Sequence, residues 1–109
     1  MDDPEKEITK VLDAYKSAVY AKDVDAFVSL YDRDVRIFDL WGAWSYSGIQ
    51  AWRKMVTDWF GSLGAERVVV ETSDVKIAAT DKLATLSAFI VYKGVSAEGG
   101  ELRSMQNRL

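Results

Sequence analysis

Val35-Arg36-Ile37-Phe38-Asp39-Leu40 is a short run of β-branched and aromatic residues lying between two helical patterns, and it reads as a strand. Upstream, Ile8, Val11, Leu12, Tyr15, Ala18 and Val19 recur at helical spacing, with Lys6, Glu7, Lys10, Asp13 and Lys16 on the opposite side. This predicts a helix over 4–21, with Pro4 at its first position and Asp3 as N-cap. Asp23 is a second N-cap, opening a short helix whose apolar stripe is Val24, Phe27, Val28, Leu30 and Tyr31. Downstream comes an aromatic connection, Trp41-Gly42-Ala43-Trp44-Ser45-Tyr46. Ser47 and Gln50 then read as a capping box, opening a third helix through Ile49, Trp52, Met55, Val56, Trp59, Phe60 and Leu63.

The remainder reads as β-structure. Residues 66–79 alternate through Val68 and Val70, then Val75, Ile77 and Ala79. Asp81-Lys82 turns the chain, 83–93 forms a second long strand, 94–100 is a glycine-bearing loop, and 101–109 is a third strand. The expected fold class is α+β, in the order α-α-β-α-β-β-β, within a single domain spanning 1–109. The last strand is polar: Arg103, Ser104, Gln106, Asn107 and Arg108 leave only Leu102, Met105 and Leu109 as apolar groups. Such a strand faces solvent, lines a polar cavity or sits between subunits, and a further strand is expected to be missing or supplied from elsewhere.

Composition narrows the chemistry. The 109 residues contain 14 Lys plus Arg and 17 Asp plus Glu, for a net charge of −3. This acidic balance lacks the basic footprint of a nucleic-acid binder. There is no histidine and no cysteine, which removes His-based triads, thiol nucleophiles, disulfides and the usual ligands of zinc. The pairs Asp23/Asp25 and Asp32/Asp34 lack the spacing of a calcium loop, and capping and turn duties account for them. No metal and no cofactor are expected. No apolar run reaches the roughly 20 residues of a membrane span, and the acidic N-terminus has no signal-peptide core. A cytoplasmic protein is the expectation.

In sequence order, Ala14-Tyr15, Lys22-Asp23-Val24-Asp25-Ala26, Tyr31-Asp32-Arg33-Asp34-Val35, Ile37-Phe38-Asp39-Leu40 and Tyr46-Ser47-Gly48-Ile49-Gln50-Ala51-Trp52-Arg53 resemble the SnoaL-like and ketosteroid-isomerase-like branch of the NTF2-like superfamily. The resemblance covers nearly the whole chain. It implies a cone in which a curved antiparallel sheet wraps a long helix around a pocket, and a homodimer packed through the sheet. It also implies a choice of functions, since members include isomerases, cyclases and dehydratases alongside proteins that only bind or assemble.

Within that resemblance Asp39, in Phe38-Asp39-Leu40-Trp41-Gly42, matches the isomerase general base, and Tyr15 matches the tyrosine that donates to the oxyanion. Ketosteroid isomerase is itself a worked example of an Asp base beside such a hole. The isomerases' protonated-Asp donor is not reproduced, because Asn107 or Arg108 stands near its place. Asn107 could donate a hydrogen bond, whereas Arg108 would favour an anionic ligand.

Alternation groups Val35, Ile37 and Asp39 on one face and Arg36, Phe38 and Leu40 on the other. If the first face lines the cone, Asp39 is a desolvated carboxylate suited to act as a base. If it does not, Asp39 is a solvated strand-end residue. Tyr15 serves either as oxyanion donor or as a core tyrosine. Trp41, Trp44 and Tyr46, lying off any helical stripe, are candidates for a pocket rim or a dimer contact, with Phe38 beside them. Trp59 sits at helical spacing and so belongs to the core as well as to a candidate pocket wall. The expected ligand is a small apolar or aromatic molecule. Three roles follow: proton transfer next to a carbonyl, ligand binding without chemistry, or assembly.

Overall fold

The structure is a computed structural model and describes residues 4–38 and 44–109. Helix α1 (Pro4–Ala21) turns Leu12, Ala18 and Val19 into the core, with Tyr15 half-buried on the same stripe. Its predicted N-cap, Asp3, lies outside the described residues. The helix ends at Lys22, which takes a left-handed backbone (φ 55°). Lys22 N–H donates to the Val19 carbonyl (3.1 Å) and Asp23 N–H to the Ala18 carbonyl (3.0 Å), which satisfies the last carbonyls of the helix. Asp23 then opens α2 (Val24–Val28), its carboxylate accepting from the Ala26 N–H at 3.1 Å. This helix is shorter than the stripe suggests, because Leu30 and Tyr31 fall in the turn that follows it.

Strand β1 (Arg36–Phe38) pairs antiparallel with β2 (Ser45–Ser47), Ile37 lying opposite Tyr46. The sequence pattern alone places β2 within the aromatic connection, so this strand is an addition to the expected order. The pairing also corrects the start of α3 (Ile49–Ser62). Ser47 is used in β2, so the N-cap is Gly48 at φ 86°, with no side-chain cap hydrogen bond. Only glycine adopts that angle without strain. The turn is held instead by backbone bonds, Gly48 N–H to the Val35 carbonyl (2.7 Å) and Ile49 N–H to the Arg33 carbonyl (2.9 Å).

The second sheet has the order β3 (Arg67–Ala79), β4 (Ala84–Val95), β5 (Glu101–Arg108), all antiparallel. Opposite residues share a face. Val68, Val70 and Thr72 therefore stand with Gly94, Tyr92 and Ile90, and these with Arg103, Met105 and Asn107. Between Ser73 and Lys76 the β3 register shifts by one residue, with Asp74 at φ 50°. This bulge moves the inward phase from even to odd positions, so that Ile77 faces Leu86. The jump from Val70 to Ile77 in the apolar pattern is the trace of that bulge in the sequence.

The expected loop at 94–100 begins later, because β4 runs on to Val95. Gly94 is buried, and the Glu66 carboxylate lies against its α-carbon. Glu66 Oε2 accepts from the Arg103 guanidinium at 2.8 Å, while Oε1 is buried without a hydrogen-bond partner. A β-carbon at position 94 would collide with Oε1 and press on Arg103 Cγ at 3.2 Å. Gly94→Ala is expected to lower stability by about 1–3 kcal/mol, as overpacking does. The same change should cost clearly less in a Glu66→Ala background. Urea unfolding of the four proteins measures this; additive costs would contradict the contact.

The core joins the inner face of this sheet to all three helices: Val19, Phe27, Val28, Trp52, Val56, Phe60, Val68, Val70 and Ile90 form one buried cluster. Ile37 and Tyr46 pack against it from the hairpin. The Ile37 face of β1 is thus the core face, and Arg36 and Phe38 point out to solvent.

Candidate functional site

Phe27 is fully buried, and five rings surround it: Tyr15 at 4.9 Å between centroids, Tyr31 at 5.5 Å, Phe60 at 5.8 Å, and Trp52 and Trp59 at 6.4 Å each. Tyr46 extends the cluster from the hairpin, 5.5 Å from Trp52, and Tyr92 of β4 closes it, edge-on to Trp59 at 6.1 Å. Helices α1, α2 and α3, the hairpin and the sheet each contribute a ring. Tyr15, Tyr31, Tyr46, Trp59 and Tyr92 are half-buried, as residues with an apolar body and a polar tip tend to be.

The polar tips converge. Tyr15 and Tyr92, 77 positions apart in sequence, have hydroxyls 2.8 Å from each other. Tyr31 interacts with Tyr92, and its pKa is pushed well above the usual tyrosine range, first by burial and then by the Tyr92 hydroxyl. The Trp52 indole N–H lies near enough to the Tyr31 hydroxyl to favour its ionised form. It forms no hydrogen bond of good geometry, however, and Trp52 Nε1 is buried without a partner. The cluster thus gathers tyrosine hydroxyls, groups that can both donate and accept hydrogen bonds, among aromatic rings.

Tyr31 also links this site to stability. Its ordinary pKa is about 10, and the folded value lies higher. Above about pH 10 the unfolded chain therefore loses this proton while the folded one keeps it, so stability falls as pH rises. The contribution is fully present below that pH. Tyr31→Phe should flatten the decline between neutral and alkaline urea midpoints. Identical slopes in both proteins would contradict the assignment.

The site residues read from the sequence divide into groups. Tyr15 and Trp59 lie in the cluster, and Tyr46 packs on it through Trp52. Phe38 and Trp44 stand on the hairpin, 71% and 89% exposed, and make no ring contact among the described residues. Asn107 is half-buried on the inner face, opposite Ile90. Arg108 lies on β5 opposite Phe89. Asp39 and Trp41 lie outside the described residues.

Tyr92 is a site residue that sequence reading misses. Its signal is present in the alternation of Ala88, Ile90 and Tyr92, which puts its ring on the core face. The acidic pairs have structural duties: Asp23 caps α2, Asp25 meets Arg53 at 2.6 Å, and Asp32 accepts from the Asp34 N–H at 2.8 Å. Among the described residues no three acidic side chains gather as a metal site would require. A shallow depression lined by Lys16, Ser17, Tyr20, Val69 and Val70 also lies between α1 and β3. There the Arg67 guanidinium already covers the Tyr20 ring at 5.1 Å.

Helices followed by an antiparallel sheet, with an aromatic interior between them, define the α+β architecture of the NTF2-like proteins. The chain belongs to the SnoaL-like domain family, whose family model matches residues 8–109. No curated protein matches it significantly. Among solved structures it is similar to Aln2 from a Streptomyces species, at 17% identity, 99% of this chain and 80% of that one, with a TM-score of 0.78. It is also similar to an NTF2-like protein of unknown function from Pseudomonas putida, at 16% identity, 94% and 84% coverage and a TM-score of 0.73. A putative scytalone dehydratase from Novosphingobium aromaticivorans aligns at 11% identity, covering 95% of this chain and 67% of that one, with a TM-score of 0.75. Identities this low carry the fold alone. No helix among the described residues is long and apolar enough to cross a membrane.

Proposed function

We propose that this protein binds a small, flat, largely apolar molecule bearing an acceptor oxygen, and that it transfers a proton next to the ligand's carbonyl. The observation that carries the reading is the Tyr15–Tyr92 hydroxyl pair, 2.8 Å apart within the aromatic cluster. Hydroxyls in such surroundings orient a ligand oxygen, while the rings supply the apolar contact area. Tyr15 donates to the oxygen and stabilises the negative charge that develops there. Asp39 is the base: the sequence alternation sets it in phase with Ile37, which packs on the core. The putative scytalone dehydratase among the fold neighbours is in keeping with chemistry of this kind. The protein works as a cytoplasmic homodimer, with the outward sheet face bearing Phe89 and Leu102, both exposed in the single chain, as the contact.

The test is a titration with 2-indanone, a flat ketone with acidic C–H bonds beside its carbonyl, followed by tryptophan fluorescence. Saturable quenching is expected, weakened roughly five- to tenfold by Tyr15→Phe, the loss typical of one hydrogen bond. An unsaturable response, or one indifferent to Tyr15→Phe, would count against the reading. A second reading, assembly without ligand, draws on the same exposed outer residues; it expects oligomers that bind no ketone.

A further inference from the structure

Away from the aromatic cluster, one flank of α1 faces β3 across the shallow groove of about 410 Å³ lined by Lys16, Ser17, Tyr20, Val69 and Val70. Residues four apart on a helix share a face, so Lys16 and Tyr20 stand on one side of the groove with Ser17 beside them. Val69 and Val70 form its apolar side. Lys16 is half-buried, yet its ammonium meets no carboxylate among the described residues. Glu66 and Glu71 are engaged elsewhere, with Arg103 at 2.8 Å and with Lys93 at 3.1 Å. Asp13, one turn before Lys16, forms no ion pair with it. Arg67 is a second cation without a carboxylate partner. Its guanidinium donates to the Tyr20 carbonyl at 2.7 Å and covers the Tyr20 ring at 5.1 Å. Two such cations flank one groove of a chain whose net charge is −3. Ser17 adds a third observation. Thr9, Thr57 and Ser62 turn their hydroxyls back onto carbonyls of their own helices, as helical hydroxyls commonly do. Ser17, in the middle of α1, makes no such bond among the described residues.

We propose that this groove is a second binding site, taking a small carboxylate with an aromatic or branched apolar body. The carboxylate accepts a charge-assisted hydrogen bond from Lys16 Nζ and another from the Ser17 hydroxyl. The body covers Val69, Val70 and the uncovered part of the Tyr20 ring. Arg67 makes the local field positive without touching the ligand. One ammonium and one hydroxyl suit the single charge of a carboxylate better than the two of a phosphate monoester. The groove is shallow, so binding is weak and sensitive to salt. None of this depends on the ketone-binding reading, which uses other residues.

The test titrates the full chain with three probes, followed by a nitrogen–proton correlation spectrum: benzoate, its neutral isostere benzamide, and acetate, which has the charge without the ring. Benzoate should shift the backbone amides of Lys16, Ser17, Tyr20, Val69 and Val70 saturably, and the other two should shift them far less. Lys16→Gln should weaken benzoate binding about tenfold, the loss typical of a hydrogen bond to a charged group, and Ser17→Ala about threefold. Both positions are incompletely buried, so both variants should keep wild-type unfolding midpoints within about 0.5 kcal/mol. Added salt should weaken benzoate binding more in wild type than in Lys16→Gln. Acetate shifts equal to those of benzoate would mean an adventitious ion only and overturn the proposal. Equal shifts from benzamide, benzoate affinity indifferent to Lys16→Gln, or no shift at these amides would overturn it as well. Benzoate shifts confined to the amides of Trp59 and Tyr92 would put the carboxylate in the aromatic cluster; the groove site then falls while the ketone reading stands.

Discussion

Phe27→Ala should cost about 4 kcal/mol of stability, within the range for emptying a phenylalanine site in a packed core. Phe27 is fully buried, and rings from α1, from α3 and from the turn after α2 pack on it. Those neighbours are anchored on separate elements, so they cannot all collapse into the space left behind. The removed transfer energy and the residual cavity therefore add. For a chain of this size the loss corresponds to a melting temperature lower by roughly 20 °C. Urea unfolding should show a lower midpoint with an unchanged slope. Leu83→Ala serves as the contrast: Leu83 is 71% exposed and its truncation should change stability by no more than about 0.5 kcal/mol. Equal losses in the two variants would mean that the core lies elsewhere.

Asp39→Asn carries the largest expected effect on activity. Proton abstraction beside a carbonyl is readable without the natural substrate, as exchange of the 2-indanone methylene protons in heavy water. Wild type should accelerate that exchange over buffer. The variant keeps the side-chain shape but cannot accept the proton, so the accelerated rate should fall by about 10²- to 10⁴-fold, with 2-indanone affinity held within a few-fold. Loss of binding together with exchange would give Asp39 a structural role. Exchange unaffected by the change would remove it as the base.

Much of the fold is legible in the sequence because its signals are local. Helical periodicity gives α1 and α3, and Asp23 caps α2 as its position implies. The apolar residues of 66–79 carry even the phase change of the β3 bulge. The hairpin is not legible. Ser45-Tyr46-Ser47 is too short and too polar to announce a strand, and it becomes one because Ile37 and Tyr46 can share the core. The capping box fails for the same reason, since Ser47 pairs with Arg36 and leaves Gly48 at the cap. Tyr15 stands out as a polar-tipped residue on an apolar helix stripe. Its partner Tyr92 does not, because a contact across 77 positions is set by strand register. That register depends on the β3 bulge and the turn between β3 and β4 acting together.

Native mass spectrometry of the gently purified protein tests most directly the claim that the cone holds a small molecule. A ligand-binding cone predicts a dimer that carries one retained small molecule per subunit, or that gains the mass of 2-indanone after incubation with it. A spectrum with no added mass in either preparation, whatever the oligomer, would contradict it.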